Sequence, residues 1–154
     1  MSASAIHDTI SQQARLAELV DREAIVDLIH RFGVVLDEQR FDDLRSIFAE
    51  DASVITPGGH AEGIEAVVAQ ATRNHNPELR TQHLVTDLVV DLDGDGALAR
   101  GNSVGVFATG EGSPAPAPQF QIGSVYRLQL IRTADGWRLR SMEMRPVWAT
   151  GERP

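Results

Sequence analysis

Histidine side chains are the groups of this chain whose ordinary chemistry suits proton transfer near neutral pH. Their spacing matches no metal-binding pattern such as His-Glu-x-x-His, so we expect no metal. The sequence has no cysteine, which excludes disulfides, thiolate nucleophiles and cysteine-type zinc sites. The histidines are His7, His30, His60, His75 and His83.

A second candidate for chemistry is the acidic segment Asp91–Gly96, Asp-Leu-Asp-Gly-Asp-Gly, which imitates the start of a calcium-binding loop. Such loops place a bidentate glutamate at their twelfth position, where this chain has Asn102. We therefore interpret the segment as a solvated hairpin turn.

The composition limits the partners. The chain has 154 residues, enough for one domain, and a formal net charge of −8 with no lysine. An acidic surface repels phosphate backbones, so we expect neither nucleic acid nor membrane as a partner. No secretory signal opens the sequence, and together with the absence of cysteine this favours a cytoplasmic location.

Helical spacing dominates the first half of the sequence. Asp21 is a plausible N-cap for a long helix that reaches Leu36, because apolar residues recur at helical intervals between them. Residues 1–20 form an N-terminal extension that could add a further helix. A short helix follows from Phe41, and another carries Ile64 to Ala71 and ends before Pro77.

Alternating strands fill the second half. Thr81 to Leu92 and Ala97 to Thr109 flank a hairpin turn, and the next strand turns Phe120 through Leu130 inward at every second residue. In the last strand Trp137 and Leu139 have one parity and Met142 and Met144 the other, which predicts a bulge near Arg140 and Ser141. We expect the proline-rich loop Gly110 to Pro118 to form a semi-rigid flap.

Helices followed by antiparallel strands indicate an α+β fold. We predict a cone-shaped roll over residues 21–150, in which the N-terminal helices pack on a strongly curved, mostly antiparallel sheet that encloses a pocket.

Several short motifs resemble the SnoaL-like domains, which belong to the superfamily of nuclear transport factor 2, scytalone dehydratase and steroid isomerase. They run in order along the chain: the helix from Asp21 to Asp37, Phe41-Asp-Asp-Leu, Ile47-Phe-Ala-Glu-Asp, Tyr126-Arg-Leu and Asp135-Gly-Trp-Arg-Leu. The resemblance spans Asp21 to Trp148 and implies the same conical fold.

The resemblance also implies a catalytic pair. Leu79-Arg-Thr-Gln-His83 resembles the strand of scytalone dehydratase that carries a catalytic histidine. Asp37 resembles the aspartate that partners this histidine in bile-acid 7α-dehydratase and hexachlorocyclohexane dehydrochlorinase, which eliminate water or HCl. A carboxylate beside an imidazole fixes its tautomer and stabilises the imidazolium that forms when the ring takes a proton. The alternative is that Asp37 caps the helix end and His83 is an ordinary strand residue.

Other positions depart from these relatives. Phe32 stands where the bile-acid dehydratase has a tyrosine and the dehydrochlorinase a lysine, and phenylalanine donates no proton. The carboxylates of the steroid isomerase fall at Thr56 and near Ser124, so isomerisation by that route is not expected. The second histidine of scytalone dehydratase falls near Ala108.

We predict a substrate pocket whose walls are mainly apolar or aromatic. Arg145 is included because the dehydratase and the dehydrochlorinase place an arginine close to this position; a surface salt bridge is the alternative. The predicted lining residues are Phe32, Phe120, Ser124, Tyr126, Met142, Met144, Arg145 and Trp148.

These expectations favour a cofactor-independent lyase, isomerase or cyclase, in which His83 abstracts a proton from a small hydrophobic or polyketide-like molecule and Asp37 orients the ring. The alternative is a non-catalytic domain that binds a ligand or a partner chain, which the absence of a proton donor at Phe32 favours. We also expect a homodimer or homotrimer whose subunits associate through the open face of the sheet. The polar residues at alternate positions of one strand would lie in this interface: Gln119, Gln121, Arg127 and Gln129.

Overall fold

The computed structural model of this protein describes residues 3–109 and 114–153. A long helix α1 is followed by a 3₁₀ turn, a two-stranded hairpin, a second helix and four long strands. The elements are α1 (Ala3–Asp37), the 3₁₀ turn (Phe41–Ser46), β1 (Phe48–Thr56), β2 (Gly59–Glu62), α2 (Ile64–Asn74), β3 (Arg80–Asp93), β4 (Gly96–Ala108), β5 (Pro118–Thr133) and β6 (Gly136–Gly151).

The strands form one six-stranded sheet in the order β2-β1-β6-β5-β4-β3. Only the β1–β6 pair is parallel among the described strands; the other neighbours are antiparallel. The helices pack on this open sheet, and the predicted α+β fold with a mostly antiparallel sheet is confirmed. None of the described helices is long and apolar enough to cross a membrane.

The helix start predicted at Asp21 is wrong, because α1 begins at Ala3. It continues through Asp21 without interruption, because the sequence has no proline or glycine before Gly33 to break it. Asp21 is therefore no N-cap. The apolar face of the C-terminal half is buried in the core, whereas the preceding turns expose large apolar side chains at 60–64%: Ile10, Leu16, Leu19 and Val20.

Strand β6 contains the predicted bulge. Gln129 pairs with Ser141 and Leu130 pairs with Leu139, so Arg140 is the extra residue between two pairs. The bulge lets Leu139 and Met142 both point into the core, although an unbroken strand would place them on opposite faces.

The hairpin from β3 to β4 turns at Gly94, whose φ is +57°, so the acidic segment is a turn as expected. The loop from β4 to β5 is described only in part. Gly110–Ser113, the first half of the predicted flap, lie outside the described residues, and beyond them the carbonyl of Pro114 accepts a hydrogen bond of 3.3 Å from Arg80. The flap stays a prediction.

Candidate functional site

A cavity of about 210 Å³ opens between the C-terminal half of α1, the helix α2 and the inner face of the sheet. Most of its wall is apolar, with phenylalanine, leucine, valine and methionine side chains. The polar residues in the wall are Thr56, Gln70, Asn74, His75, His83, Ser103, Tyr126 and Arg153. An apolar cavity with a few polar groups is typical of a site for a small organic ligand.

Asp37 and His83 form a hydrogen-bonded pair at this cavity. Oδ1 of Asp37 lies 2.6 Å from Nδ1 of His83, and Oδ2 accepts a hydrogen bond of 3.0 Å from the backbone N–H of the same residue. The side chain of His83 is 9% exposed and that of Asp37 24%. Because a carboxylate only accepts, Nδ1 carries a proton, and the neutral ring keeps its lone pair on Nε2.

The pair is positioned by the end of α1 and the start of β3. Asp37 is the last residue of α1, and Gln39 in the following turn donates a hydrogen bond of 3.0 Å to the carbonyl of Leu79 just before β3. Two glycines lie next to His83, and an added Cβ at either one would meet its side chain at an ordinary contact distance. A Cβ on Gly33 would lie 3.7 Å from Cβ of His83, and one on Gly105 would lie 3.6 Å from its Cδ2.

A buried hydroxyl group lies elsewhere in the same wall. Tyr126 on β5 is 3% exposed, its hydroxyl is hydrogen-bonded to Ser103 on β4, and its ring centroid is 6.3 Å from that of Phe32. Burial raises the pKa of Tyr126, so the phenol keeps its proton at neutral pH. The two hydroxyls carry two protons and use one between them, which leaves one donor for a ligand.

Five of the eight predicted pocket residues line the cavity. They come from α1, β5 and β6. These five are Phe32, Phe120, Tyr126, Met142 and Met144.

Two of the other three predicted pocket residues lie apart from the wall. Ser124 is buried beside the cavity, and its Oγ has no hydrogen-bond partner among the described residues. The side chain of Arg145 is 53% exposed and donates a hydrogen bond of 2.7 Å to Glu143, so the alternative of a surface salt bridge describes it.

Trp148 is the third correction, and a second bulge in β6 explains it. Ser124 pairs with Pro146 and Gly123 pairs with Trp148, so Val147 is an extra residue that reverses the parity of the strand. Met144 and Pro146 line the cavity, whereas Trp148 is 45% exposed and its indole covers Gly123. A side chain on Gly123 would collide with that indole, because its Cβ would come 2.1 Å from Nε1.

The part of the wall that comes from α2 and the end of the chain was not predicted from the sequence. His75 caps α2, Gln70 is 3% exposed within it, and Arg153 follows β6. The only signal for His75 was its place in the helix-ending run Asn74-His-Asn-Pro, which indicates a boundary and not a site.

No three histidine, cysteine, aspartate or glutamate side chains converge as a metal site among the described residues. The expectation that the protein uses no metal stays a prediction. Within the described residues, the titratable groups in or at the wall are Asp37, His75, His83, Tyr126 and Arg153.

A sequence model described as a SnoaL-like domain matches residues 17–143. The terrestric acid biosynthesis cluster protein E of Penicillium crustosum is 25% identical over 138 residues, which cover 87% of this chain and 88% of that protein. An NTF2-like protein with a cystatin-like fold from Novosphingobium aromaticivorans is 28% identical with a TM-score of 0.75, and the match covers 88% of either chain. The hexachlorocyclohexane dehydrochlorinase LinA-type3 from Novosphingobium barchaimii shares the fold at 22% identity and a TM-score of 0.75, over 88% of this chain and 92% of that one.

Proposed function

Because this chain belongs to the SnoaL-like domain family, we propose that it is a cofactor-independent enzyme that removes a proton from carbon in a small apolar, polyketide-like molecule. The reaction class is that of a lyase, isomerase or cyclase. The observation that carries the proposal is the Asp37–His83 pair at the wall of an apolar cavity.

In this mechanism Nε2 of His83 takes a proton from a carbon atom next to an electron-withdrawing group such as a carbonyl. Asp37 holds the Nδ1–H tautomer and stabilises the imidazolium that forms. A positioned base of this kind contributes ~10²–10⁴-fold to a rate. The abstracted proton then remains on His83 until it is returned to another atom of the substrate or to a leaving hydroxyl group.

Tyr126 supplies the proton donor that Phe32 cannot provide. Its hydroxyl, or that of Ser103 bonded to it, can donate to the oxygen on which negative charge develops when the carbon loses its proton. The contact between the rings of Tyr126 and Phe32 supports this role, because the donor then lies beside the helix position where related enzymes carry a tyrosine or lysine.

Two relatives support the proposal without specifying the substrate. The dehydrochlorinase carries elimination chemistry in its name, and the Penicillium crustosum relative is named for a biosynthesis cluster. The cavity has room for a compact molecule of one or two rings, because a cavity of about 150 Å³ can bind benzene.

Hydrogen–deuterium exchange tests the proposal without knowledge of the natural substrate. The probe is 4-hydroxy-4-phenylbutan-2-one, a β-hydroxy ketone whose acidic carbon lies between the carbonyl and the hydroxyl-bearing carbon. NMR in D₂O should show that the protein accelerates exchange at this carbon, and that His83→Ala and Asp37→Asn each lower the acceleration ~10²–10⁴-fold.

His60→Ala is the matched control, because this imidazole is 53% exposed and pairs with Glu62 outside the cavity. It should exchange the probe as fast as the wild type. Equal rates for His83→Ala and the wild type would contradict the proposal. A wild-type protein that binds the ketone and leaves its exchange unchanged would favour the binding-domain alternative.

The predicted assembly remains a proposal about the outer face of the sheet. Gln119, Arg127 and Gln129 are exposed there and Gln121 is half-buried. Leu98, which pairs with Gln129, is 57% exposed on the same face. We expect light scattering to give the mass of a dimer or trimer, and a purely monomeric mass at high concentration would contradict this expectation.

A further inference from the structure

His75 is the second imidazole in the cavity wall, and the mechanism above gives it no role. It follows α2 as the C-cap residue. Its ring centroid lies 5.4 Å from that of Phe41, 5.9 Å from that of His83 and 6.4 Å from that of Phe107. The ring is therefore held by neighbours on three sides and shares the cavity with the proposed base.

The tautomer of His75 follows from its hydrogen bond to Ala71. Nδ1 lies 2.8 Å from the carbonyl oxygen of Ala71. A carbonyl only accepts, so Nδ1 carries the proton, and in the neutral ring Nε2 is a hydrogen-bond acceptor. The two imidazoles of the cavity thus present the same kind of nitrogen, although a carboxylate orients one and a backbone carbonyl the other.

The electrostatic surroundings keep His75 neutral near pH 7. Burial lowers the pKa of His75 from its ordinary value of 6.5. The hydrogen bond to Ala71 opposes this shift, and the carboxylate of Asp37 also opposes it. The positive charge of Arg153 adds to the shift, as does that of His83 whenever its ring is protonated. A neutral ring retains the Nε2 lone pair at physiological pH.

No group among the described residues donates a hydrogen bond to this Nε2, and the ring lines the cavity. An acceptor that a ligand shields from water costs free energy unless the ligand donates a hydrogen bond to it. A ligand without a donor at this point would therefore bind less well than a ligand of the same shape that has one.

We propose that Nε2 of His75 accepts a hydrogen bond from a hydroxyl group of the ligand, so that the cavity selects small apolar molecules that carry this donor. The hydroxyl held by His75 and the carbon that faces His83 then lie on neighbouring parts of one molecule, because the two rings are 5.9 Å apart. His75 binds and orients the substrate, whereas His83 reacts with it. The inference rests on the proposed function only in treating the cavity as the ligand site.

A pair of probes of equal shape tests the inference by binding alone. In 4-ethylphenol a hydroxyl replaces one methyl group of 4-ethyltoluene. Isothermal titration calorimetry at pH 7.5 gives the ratio of the two dissociation constants. His75→Phe keeps an aromatic ring and removes the acceptor, so the ratio should shift ~3–10-fold towards ethyltoluene, as expected for one net hydrogen bond. His75→Gln, which retains an acceptor oxygen, should restore part of the preference, and His60→Phe should leave the ratio unchanged.

Nitrogen-15 NMR of the wild-type protein gives a second readout. If His75 had only a structural role, its nitrogen resonances would not respond to the hydroxyl group of the ligand. At pH 7.5 His75 should show a protonated Nδ1 and an unprotonated Nε2. The Nε2 resonance should move when 4-ethylphenol is added and stay in place with 4-ethyltoluene. A proton on Nε2 in the free protein, or an unchanged ratio of dissociation constants in His75→Phe, would overturn the inference.

These outcomes separate this inference from the proposed function. If the preference for the phenol depends on His75 but the wild type never accelerates exchange of the ketone, the catalytic proposal fails and the role of His75 stands. If the ketone exchanges in a His83-dependent way while His75→Phe leaves the ratio unchanged, the role of His75 fails and the catalytic proposal stands.

Discussion

Two aspartates on α1, Asp21 and Asp37, each reach from the helix to the sheet, but they meet partners of different chemistry. The carboxylate of Asp21 accepts hydrogen bonds of 2.8 and 2.7 Å from Arg132 and one of 3.1 Å from the indole of Trp137. That of Asp37 binds the ring and the backbone N–H of His83. We call the first contact the clasp and the second the site pair.

The difference shows that the partner decides what a helix carboxylate can do. A guanidinium stays charged at every physiological pH, so the clasp is a permanent ion pair that fastens α1 to the sheet. It lowers the pKa of Asp21 to about 2, mainly through the hydrogen bonds from Arg132 and Trp137. An imidazole gains and loses its proton near neutral pH, so a carboxylate beside it can assist proton transfer.

The position of Asp37 also breaks a local rule of helix stability. The C-terminal end of a helix carries partial negative charge, which disfavours a carboxylate there by ~0.3–1 kcal/mol. Asp37 is the last residue of the 35-residue helix α1. Such violations are expected where a residue serves function, because its partner elsewhere offsets the local cost.

The largest expected effect comes from breaking the site pair. Asp37→Asn and His83→Ala should each reduce exchange of the β-hydroxy ketone ~10²–10⁴-fold. The double variant should lose little more than the worse single variant, because the two residues act as a unit. Steady-state rates for the wild type and the three variants complete the cycle.

Asp21→Asn is the matched comparison for this experiment, since it removes the other carboxylate of the same helix. It should leave the exchange rate within a factor of about two at a temperature where the protein stays folded. Independent, multiplicative losses in the Asp37 and His83 variants would show that the site pair does not work as one group.

The next effect concerns the proton donor. Tyr126→Phe removes one hydroxyl and keeps the ring packed against Phe32, so it should lower the exchange rate ~10²-fold with little change in ketone binding. Ser103→Ala should cost less, because the phenol then keeps its own proton. Rate and dissociation constant measured together distinguish a lost donor from a lost contact. An effect on binding alone would remove Tyr126 from the mechanism.

Much of the fold follows from patterns that the sequence carries locally. Helical periodicity located the C-terminal half of α1, and the change of parity between Leu139 and Met142 located the bulge at Arg140. The prediction of an N-cap at Asp21 was wrong, because its carboxylate accepts a hydrogen bond from Arg132 of the sheet and not from a backbone N–H at the start of a helix. An aspartate that caps a helix and one that forms an ion pair with a distant strand cannot be distinguished by the local sequence pattern.

The site was predictable only in part, for a similar reason. The resemblance pointed to Asp37 and His83. Strand parity pointed to four of the pocket residues, and the apolar face of α1 to Phe32. The bulge at Val147 is not accompanied by a comparable change in the alternation of apolar residues along the sequence, so the orientation of Trp148 was not predicted. The position of His75 in the wall depends on how α2 packs against the sheet, which no periodicity along the chain records.

A smaller effect on the site pair is expected from crowding. A Cβ on Gly105 would lie 3.2 Å from Cε2 of Phe107, closer than side chains normally approach, and 3.6 Å from Cδ2 of His83. Gly105→Ala should therefore displace the ring of Phe107 towards the cavity and reduce the exchange rate about threefold to tenfold, which the NMR assay would detect.

Gly33→Ala is the control for this substitution, since its Cβ meets His83 at an ordinary 3.7 Å. It should leave the rate unchanged and raise the melting temperature, because alanine favours a helix interior over glycine. An equal loss of rate in the two variants would mean that any side chain near His83 is harmful and that the close contact with Phe107 is irrelevant.

The smallest expected effect belongs to the clasp, and it concerns stability and not turnover. The carboxyl group of Asp21 has its ordinary pKa of 3.8 in the unfolded chain and a pKa of about 2 in the folded protein. The clasp therefore stabilises the fold above pH 4, and this stabilisation is lost as the pH falls towards 2. Asp21→Asn should lower the melting temperature at pH 7 by about 2–4 °C, a modest value because the side chain of Arg132 is 38% exposed and its charge is partly screened. The difference between wild type and variant should vanish between pH 4 and pH 2. A difference in melting temperature that stayed constant over this range would mean that the side chain of Asp21 contributes by packing and not by its charge. The contrast between the clasp and the site pair would then not rest on the charge of the partner.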